Sequence, residues 1–427
     1  MRIPSALIIG IAACTATLCL AQAPVYTPRT IQFLGAPEYT REELLSAAQL
    51  KPGDQLTVAE MGEHAKTLMS TGMFSKLTYN FDGQDLIYQL APSPDLLPIR
   101  ITNLPLKAGG ELDAKLHTQI PLYHGKVPGD GSVNDDVRAA LEKMLAEEGL
   151  KASVQAVAAA GLGSAKEAAI NYFIADPPVV VGPIAVVGAP AAIDAGAQQI
   201  LAHLTGSAYD AEGTPSQMAT YLDNYYHDRG YLEATVRASP KGAAVAAADS
   251  IRIPFEINLA PGILYKLGNI RLAPELLLKQ VDFDKQARLR PGDIADQQHV
   301  QENWEYVARQ YHNHGYMQPK VEPTPSYDHA SQTVSYAVTV TPGPLYAMGK
   351  LTVENVSDDL RAAILAAWKI PPGTVFNEGA VRSFFATQGV NPALERVFAS
   401  AAVHYTQTLN DDTHTVDLVV KFSQKHY

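Results

Sequence analysis

A short pattern recurs at a fixed spacing in this chain, and it limits the fold more than any other sequence feature. Pro261, Gly262, Tyr265 and Gly268 of the segment PGILYKLGNI reappear 81 positions later, in the segment PGPLYAMGKL. The same offset separates the Pro-Gly pair of LRPGD, at 291–292, from that of PPGT, at 372–373. A constant offset between several matched residues predicts tandem copies of one structural unit.

A less strict pattern extends these repeats toward the N-terminus. A glycine closes a helical stretch and precedes a bulky residue at Gly72, Gly149, Gly230 and Gly315, with spacings of 77, 81 and 85 residues. A chain of 427 residues is also long enough for several cores. We therefore predict five repeats, at residues 28–94, 95–178, 179–261, 262–343 and 344–427.

The sequence signals for strands, helices and turns are clearest in the first repeat. A strand over 30–34 ends at a glycine, and two helices follow that each begin with a capping box, Thr40 with Glu43 and Thr57 with Glu60. Gly72 stops the second helix, because glycine adopts the left-handed conformation at low cost. The Asp82-Gly83 pair then predicts a hairpin between two strands. The predicted order is β-α-α-β-β.

The later repeats reuse this order with different side chains. Their second helices carry apolar stripes at helical spacing, which predict packing against a sheet: Val137, Leu141, Met144 and Leu145; Met218, Tyr221, Leu222 and Tyr225; Val300, Trp304, Val307 and Tyr311. Predicted hairpins follow at 151–158 with 167–174, 232–238 with 251–258, 317–323 with 333–340, and 402–408 with 415–422.

Charge and composition exclude several classes of partner. Hydrophobic residues make up 47% and charged residues 18%, which predicts folded cores rather than disorder. The net charge is -11, and no cluster of Lys and Arg stands out, so we expect neither nucleic acid nor an anionic membrane surface as a partner.

The N-terminus is typical of an export signal. A positive Arg2 precedes the apolar stretch 6–20, and we expect cleavage after Ala21, which makes 1–21 a signal peptide. An uncleaved anchor and a lipoprotein signal with lipid on Cys14 are the alternatives. Both cysteines, Cys14 and Cys19, lie in this segment, so the mature chain is expected to hold no disulfide, thiol nucleophile or cysteine-bound metal.

These marks together resemble the polypeptide-transport-associated (POTRA) domain. The first repeat carries FLG at 33–35, LKPGD at 50–54 and GMF at 72–74, and the fourth carries LRPGD at 289–293 and GY at 315–316. Repeats two, three and five depart from the pattern at the Pro-Gly loop or after the second helix. The resemblance implies an α+β fold, a tandem array of about five β-α-α-β-β domains, each a three-stranded mixed sheet with two helices on one face.

The resemblance also implies a function in the bacterial envelope. Such domains precede a membrane β-barrel in proteins of outer-membrane assembly and secretion. We expect no barrel in this chain, because only one repeat's length follows Gly343. The expected role is periplasmic docking or holding of unfolded outer-membrane polypeptides, or of a separate barrel protein, by β-augmentation on exposed sheet edges. By family resemblance the edge of the first repeat comprises Lys76, Leu77, Thr78, Tyr79 and Asn80.

Two other classes of function stay open, a scaffold for another folded envelope protein and, as a third choice, an enzyme such as a hydrolase. The segment 161–166 (GLGSAK) lacks phosphate-loop spacing, and His312 with His314 lacks further visible metal ligands. The Asp pairs at 135–136, 358–359 and 411–412, and the run 225–229 (YYHDR), are explained by turns and helix ends. We therefore expect no catalytic residue, cofactor or metal, and membrane association only through a partner or a lipid on Cys14.

Overall fold

Five β-α-α-β-β groups follow one another along the chain, as the sequence predicts. The computed structural model describes residues 24–106, 109–160, 168–189, 191, 193–386 and 401–424. The export signal with Cys14 and Cys19 lies outside the described residues, as do 161–166 and 387–400, the part of repeat five that departs from the pattern after its second helix. The α+β fold class is confirmed, whereas the limits of the five repeats stay a prediction.

The strands and helices of the first two groups have these bounds: β1 (Thr30–Leu34), α1 (Arg41–Ala47), α2 (Val58–Ser70), β2 (Phe74–Phe81), β3 (Asp85–Pro92), β4 (Leu97–Ile101), α3 (Gly110–Gln119), β5 (Lys126–Val127), α4 (Ser132–Glu147), β6 (Ser153–Ala159) and β7 (Ala169–Asp176).

The remaining groups have these bounds: β8 (Val179–Val187), α5 (Ala195–Leu204), α6 (Gly213–His227), β9 (Thr235–Pro240), β10 (Val245–Ala246), β11 (Ile251–Ala260), β12 (Lys266–Leu272), α7 (Gln280–Gln286), α8 (Gln297–His312), β13 (Lys320–Asp328), β14 (Thr333–Thr341), β15 (Ala347–Glu354), α9 (Asp358–Ala367), α10 (Glu378–Phe385), β16 (Ala401–Asn410) and β17 (Thr415–Gln424).

One strand order recurs in the sheets. The last strand of each group lies between the group's first strand and the first strand of the hairpin, as in β1-β3-β2, β12-β14-β13 and β15-β17-β16. In these three sheets the outer pairing with the first strand is parallel and the hairpin is antiparallel. The second and third sheets each gain a two-residue strand, β5 and β10, which the sequence did not predict.

The chain forms two compact units. The first consists of the described residues up to Pro183 together with Thr205–Thr214 and Lys241–Pro254, and the second consists of Ile184–Leu204, Pro215–Pro240 and the chain from Phe255 onward. The first unit therefore contains groups one and two, the second contains groups four and five, and the third group contributes to both. Among helices of the described residues, none is long and apolar enough to cross a membrane.

The predicted helix signals and core stripes are largely confirmed. Thr40 and Thr57 each accept a hydrogen bond from the amide three residues on, and the Glu at that position accepts the reciprocal bond. The stripes on α4 and α8 are buried. On α6 the prediction was wrong for Tyr221, which is 47% exposed, whereas Tyr226 is buried at 3%. The buried face of α6 runs through every fourth residue, from Met218 to Tyr226.

The repeated Pro-Gly-Tyr pattern builds a contact between successive groups. In the second compact unit the Tyr265 amide donates to the carbonyl of Gly230 at 2.9 Å, and the Tyr346 amide donates to that of Gly315 at 2.8 Å. The Tyr346 hydroxyl donates to Asp411 at 2.6 Å, and the Tyr265 hydroxyl donates to Glu233. The glycine that ends the second helix of one group thus accepts a hydrogen bond from the residue just before the first strand of the next group.

Candidate functional site

The predicted edge residues 76–80 all lie on β2, the terminal strand of the first sheet. The strand order β1-β3-β2 leaves β2 paired on one side with β3, in the register Leu77 opposite Leu90 and Tyr79 opposite Tyr88. In the described part of the chain, no strand is paired with the opposite side of β2. The geometry needed to accept a further strand is therefore present at this position.

Both ends of β2 are fixed by local interactions. Phe74 is buried at 3%, and a bulge follows it at Ser75, whose hydroxyl donates to the carbonyls of Ala91 and Pro92 at 3.3 and 3.1 Å. At the hairpin, the Asp82 carboxylate accepts the amides of Gln84 and Asp85 at 2.9 and 2.8 Å. Hydrogen bonds from the Asp85 and Gln84 amides lower the pKa of Asp82, so this carboxylate stays ionised and holds the turn.

The hairpin also determines which β2 amides face outward. The Asp82 amide donates to the Asp85 carbonyl, so these two opposed residues form a hydrogen-bonded pair. Hydrogen-bonded and non-hydrogen-bonded pairs alternate along an antiparallel ladder. By this alternation, the backbone amide and carbonyl of Thr78 face β3, whereas those of Leu77 and Tyr79 face the free edge of the sheet. A docking strand would meet the amides of these two residues.

The side chains of β2 divide between two faces. Leu77 and Tyr79 lie on the face of the buried residues Leu90 and Tyr88, and the Tyr79 and Tyr88 rings are 6.0 Å apart. Lys76, Thr78 and Asn80 lie on the other face and are exposed. A partner that pairs with β2 would therefore extend a sheet with one apolar and one polar face.

The corresponding strands of the other sheets differ in their chemistry. β6, β13 and β16 are likewise terminal strands. β13 contains Pro323 and Pro325, opposite Val338 and Tyr336. Because proline cannot donate to the ladder, such residues occur where the nitrogen faces away from the partner strand. The free edge of β13 therefore lacks two amides, whereas the sequence of β2 contains no proline.

His312 and His314, the metal candidates from the sequence, do not face a common point. His312 Nδ1 lies 3.2 Å from Glu378, and His314 Nδ1 lies 2.7 Å from the carbonyl of Gln310. The His312 hydrogen bond, assisted by Arg382 and opposed by burial, lowers the pKa of Glu378. This contact links α8 to α10, so His312 has a structural partner.

The other sequence candidates also have structural partners. Asp135 and Asp358 each pair with an arginine three residues on, in the first turns of α4 and α9. Asp411 accepts the Tyr346 hydroxyl. In the run 225–229, the Tyr225 hydroxyl donates to Asp194, and the Arg229 guanidinium lies 3.5 Å from the centre of the Tyr225 ring.

One cluster of possible metal ligands was missed by the sequence reasoning. Glu43 on α1, His117 on α3 and His124 in the following loop bring their ligand atoms within 4.8 Å of one another, the one such group of three among the described residues. Glu43 was recognised only as a helix cap. The histidines are more than 70 positions from it, so no local spacing could reveal the cluster.

Comparison with known proteins gives a family match and a curated relative. Residues 265–343 match the POTRA family, described as surface antigen variable number repeat. A putative outer membrane protein assembly factor from Treponema pallidum (strain Nichols) is 21% identical over 159 residues, which cover 37% of this chain and 19% of that protein. The match thus spans about a fifth of the relative's length.

Two solved structures of POTRA domains resemble part of this chain. POTRA domains 3–5 of BamA from Haemophilus influenzae cover 58% of this chain and 96% of theirs, with 15% identity and a TM-score of 0.42. POTRA domains 1–3 of Omp85 from Anabaena cover 58% and 97%, with 18% identity and a TM-score of 0.26. The family match and the strand order of β12–β14 identify residues 265–343 as a POTRA domain.

Proposed function

We propose that this chain is a non-enzymatic periplasmic protein that docks or holds polypeptides during outer-membrane protein assembly or secretion. The clients are unfolded outer-membrane polypeptides or a separate membrane barrel protein. They would pair with the free edge of β2, at Lys76–Asn80, and with other open edges of the array. Export by the signal peptide 1–21 belongs to the same proposal.

The observation that carries the proposal is the unpaired side of β2. An edge strand presents amides and carbonyls that pair with an extended chain largely regardless of its sequence. β2 is eight residues long, contains no proline and keeps both ends anchored in the first group. The POTRA match and the assembly-factor relative support a role of this kind.

The test uses two proline substitutions, Leu77→Pro and Tyr79→Pro. Each removes one outward amide and leaves the inward ladder bonds in place. One hydrogen bond contributes about 0.5–1.5 kcal/mol, so each variant should bind an extended, fluorescein-labelled outer-membrane peptide roughly two- to tenfold more weakly. Fluorescence anisotropy of the peptide measures the affinity.

Leu77→Ala and Tyr79→Ala are the matched controls. They shorten the same side chains but keep the amides, so peptide affinity should change less than in the proline variants. Circular dichroism checks that all four variants stay folded. Equal affinities for the wild type and the folded proline variants would reject binding at this edge.

A scaffold for another folded envelope protein is the second candidate, because an open edge serves that role equally well. Capture from envelope extracts separates the two. Many unfolded outer-membrane precursors would support client holding, and one partner in fixed ratio would support the scaffold. Either capture should weaken with Leu77→Pro if β2 is the surface involved.

A further inference from the structure

We infer that Glu43, His117 and His124 form a binding site for a divalent transition cation, with zinc as the best-fitting ion. The site lies within the first compact unit and joins α1 of the first group to α3 and the following loop of the second. It shares no residue with the proposed docking edge at Lys76–Asn80.

The spacing of the ligand atoms fits a tetrahedral ion. Glu43 Oε1 lies 3.4 Å from His117 Nε2 and 3.3 Å from His124 Nε2. Ligands about 2.0–2.1 Å from a tetrahedral zinc lie about 3.3 Å from one another, which matches both separations. Charge-assisted hydrogen bonds are shorter, at about 2.7–2.9 Å, so direct pairing describes the geometry less well.

Hydrogen bonds orient His117 for metal binding. Its Nδ1 lies 3.0 Å from the Tyr123 carbonyl, which can only accept, so Nδ1 carries the proton. In the neutral ring, Nε2 then directs its lone pair toward the Glu43 carboxylate. A cation between these two acceptors removes their repulsion, and a backbone carbonyl on the other nitrogen is the usual support for a metal-bound histidine.

Glu43 is oriented in the same way. Its Oε2 accepts the Thr40 amide at 2.7 Å in the capping box, which leaves Oε1 facing both histidines. A carboxylate oxygen placed beside two imidazole nitrogens is a ligand set that zinc accepts.

The loop that carries His124 is also fixed. The neighbouring Tyr123 is fully buried and donates its hydroxyl to Asp113 at 2.6 Å. The Tyr39 ring packs edge-on against His124, with centroids 5.1 Å apart. The histidine side chains are 46% and 40% exposed, so an ion can enter and a water can supply the fourth ligand.

The test is a titration of the untagged full chain with Zn²⁺ by calorimetry and with Co²⁺ by visible absorption, which reports tetrahedral coordination. We expect one site that both metals share, and an unfolding midpoint that rises with Zn²⁺ and falls again with a chelator. Glu43→Gln, His117→Gln and His124→Gln should each weaken Zn²⁺ binding about tenfold or more.

Two features of the variants make the loss of Zn²⁺ binding specific to these ligands. Glu43→Gln keeps a residue that completes the capping box, so the helix start is preserved. His314→Gln removes an exposed histidine that was a sequence candidate, and it should leave Zn²⁺ affinity unchanged. The inference is overturned if the chain binds no Zn²⁺, which would leave a plain ion-pair cluster, or if the three ligand variants bind as tightly as the wild type.

Discussion

At the scale of single residues, Gly315, which ends α8, has two roles, of which the sequence indicates one. Gly315 has a φ of +87°, as predicted for a helix stop. A Cβ there would also lie 2.7 Å from Val375 Cγ1 and 3.0 Å from the Tyr346 carbonyl oxygen. The close approach of the next group therefore adds a steric requirement for glycine to the conformational one.

Gly315→Ala tests this second role against Gly373→Ala. Gly373 has a similar φ of +83°, but a Cβ at that position would have no atom within 4 Å. Left-handed backbone costs an alanine about 1–2 kcal/mol at either site. We expect Gly315→Ala to lower the free energy of unfolding by at least about 1 kcal/mol more than Gly373→Ala, because contacts must shift. Urea unfolding measures both, and equal losses would reject the steric role.

At the scale of secondary-structure elements, the terminal strands are predicted to differ in how well they accept a partner. The prolines of β13 remove two outward amides, so this edge should bind extended chains poorly. Replacing both, Pro323→Thr with Pro325→Thr, should increase peptide binding or self-association. Anisotropy and analytical ultracentrifugation measure these effects. Val321→Thr is the control, since it changes the same strand without adding an amide. If the double proline variant shows no increase in peptide binding or self-association, the prolines do not block this edge.

Local signals predicted these elements well. The capping boxes at Thr40 and Thr57 and the hairpin at Asp82-Gly83 lie where expected, because each depends on residues within a few positions. β5 and β10 were missed, since two-residue strands leave no periodic pattern. Tyr221 was wrongly predicted to be buried, because it lies at the border of the apolar stripe, where residue spacing alone cannot distinguish core from solvent. The cluster around Glu43 depends on contacts between groups, which local patterns do not encode.

At the scale of the whole chain, two apolar clusters agree with the proposed limits of the third and fourth repeats. The buried core that contains Tyr265, Phe283 and Trp304 draws all its buried members from residues 265–338. The core around Leu222 and Ile257 draws its members from 197–259. A division into domains at 179–261 and 262–343 would leave each of these cores intact, which is the condition for independent folding.

The segment 262–343, produced alone, should therefore fold cooperatively. It keeps the POTRA match and its own core, although it loses the hydrogen bond from Tyr265 to Glu233 and the amide contact to Gly230. Domains of this size are marginal, so we expect a lower unfolding midpoint than in the full chain. Far-ultraviolet circular dichroism during heating measures the transition.

The matched control is the segment 221–302, which has the same length but a shifted frame. It contains α7 and all of β9–β12 but lacks β14, the central strand of the fourth sheet, and β8, a neighbour of β11 in the third. The core around Tyr265 loses Trp304 and every later member, and the core around Leu222 loses Ala197 and the β8 side chains that pack on it, so this segment should show no cooperative transition. If both segments unfold cooperatively, or neither does, the repeat limits are wrong. The boundary at 262 would then define a folding unit no better than a boundary placed within a group.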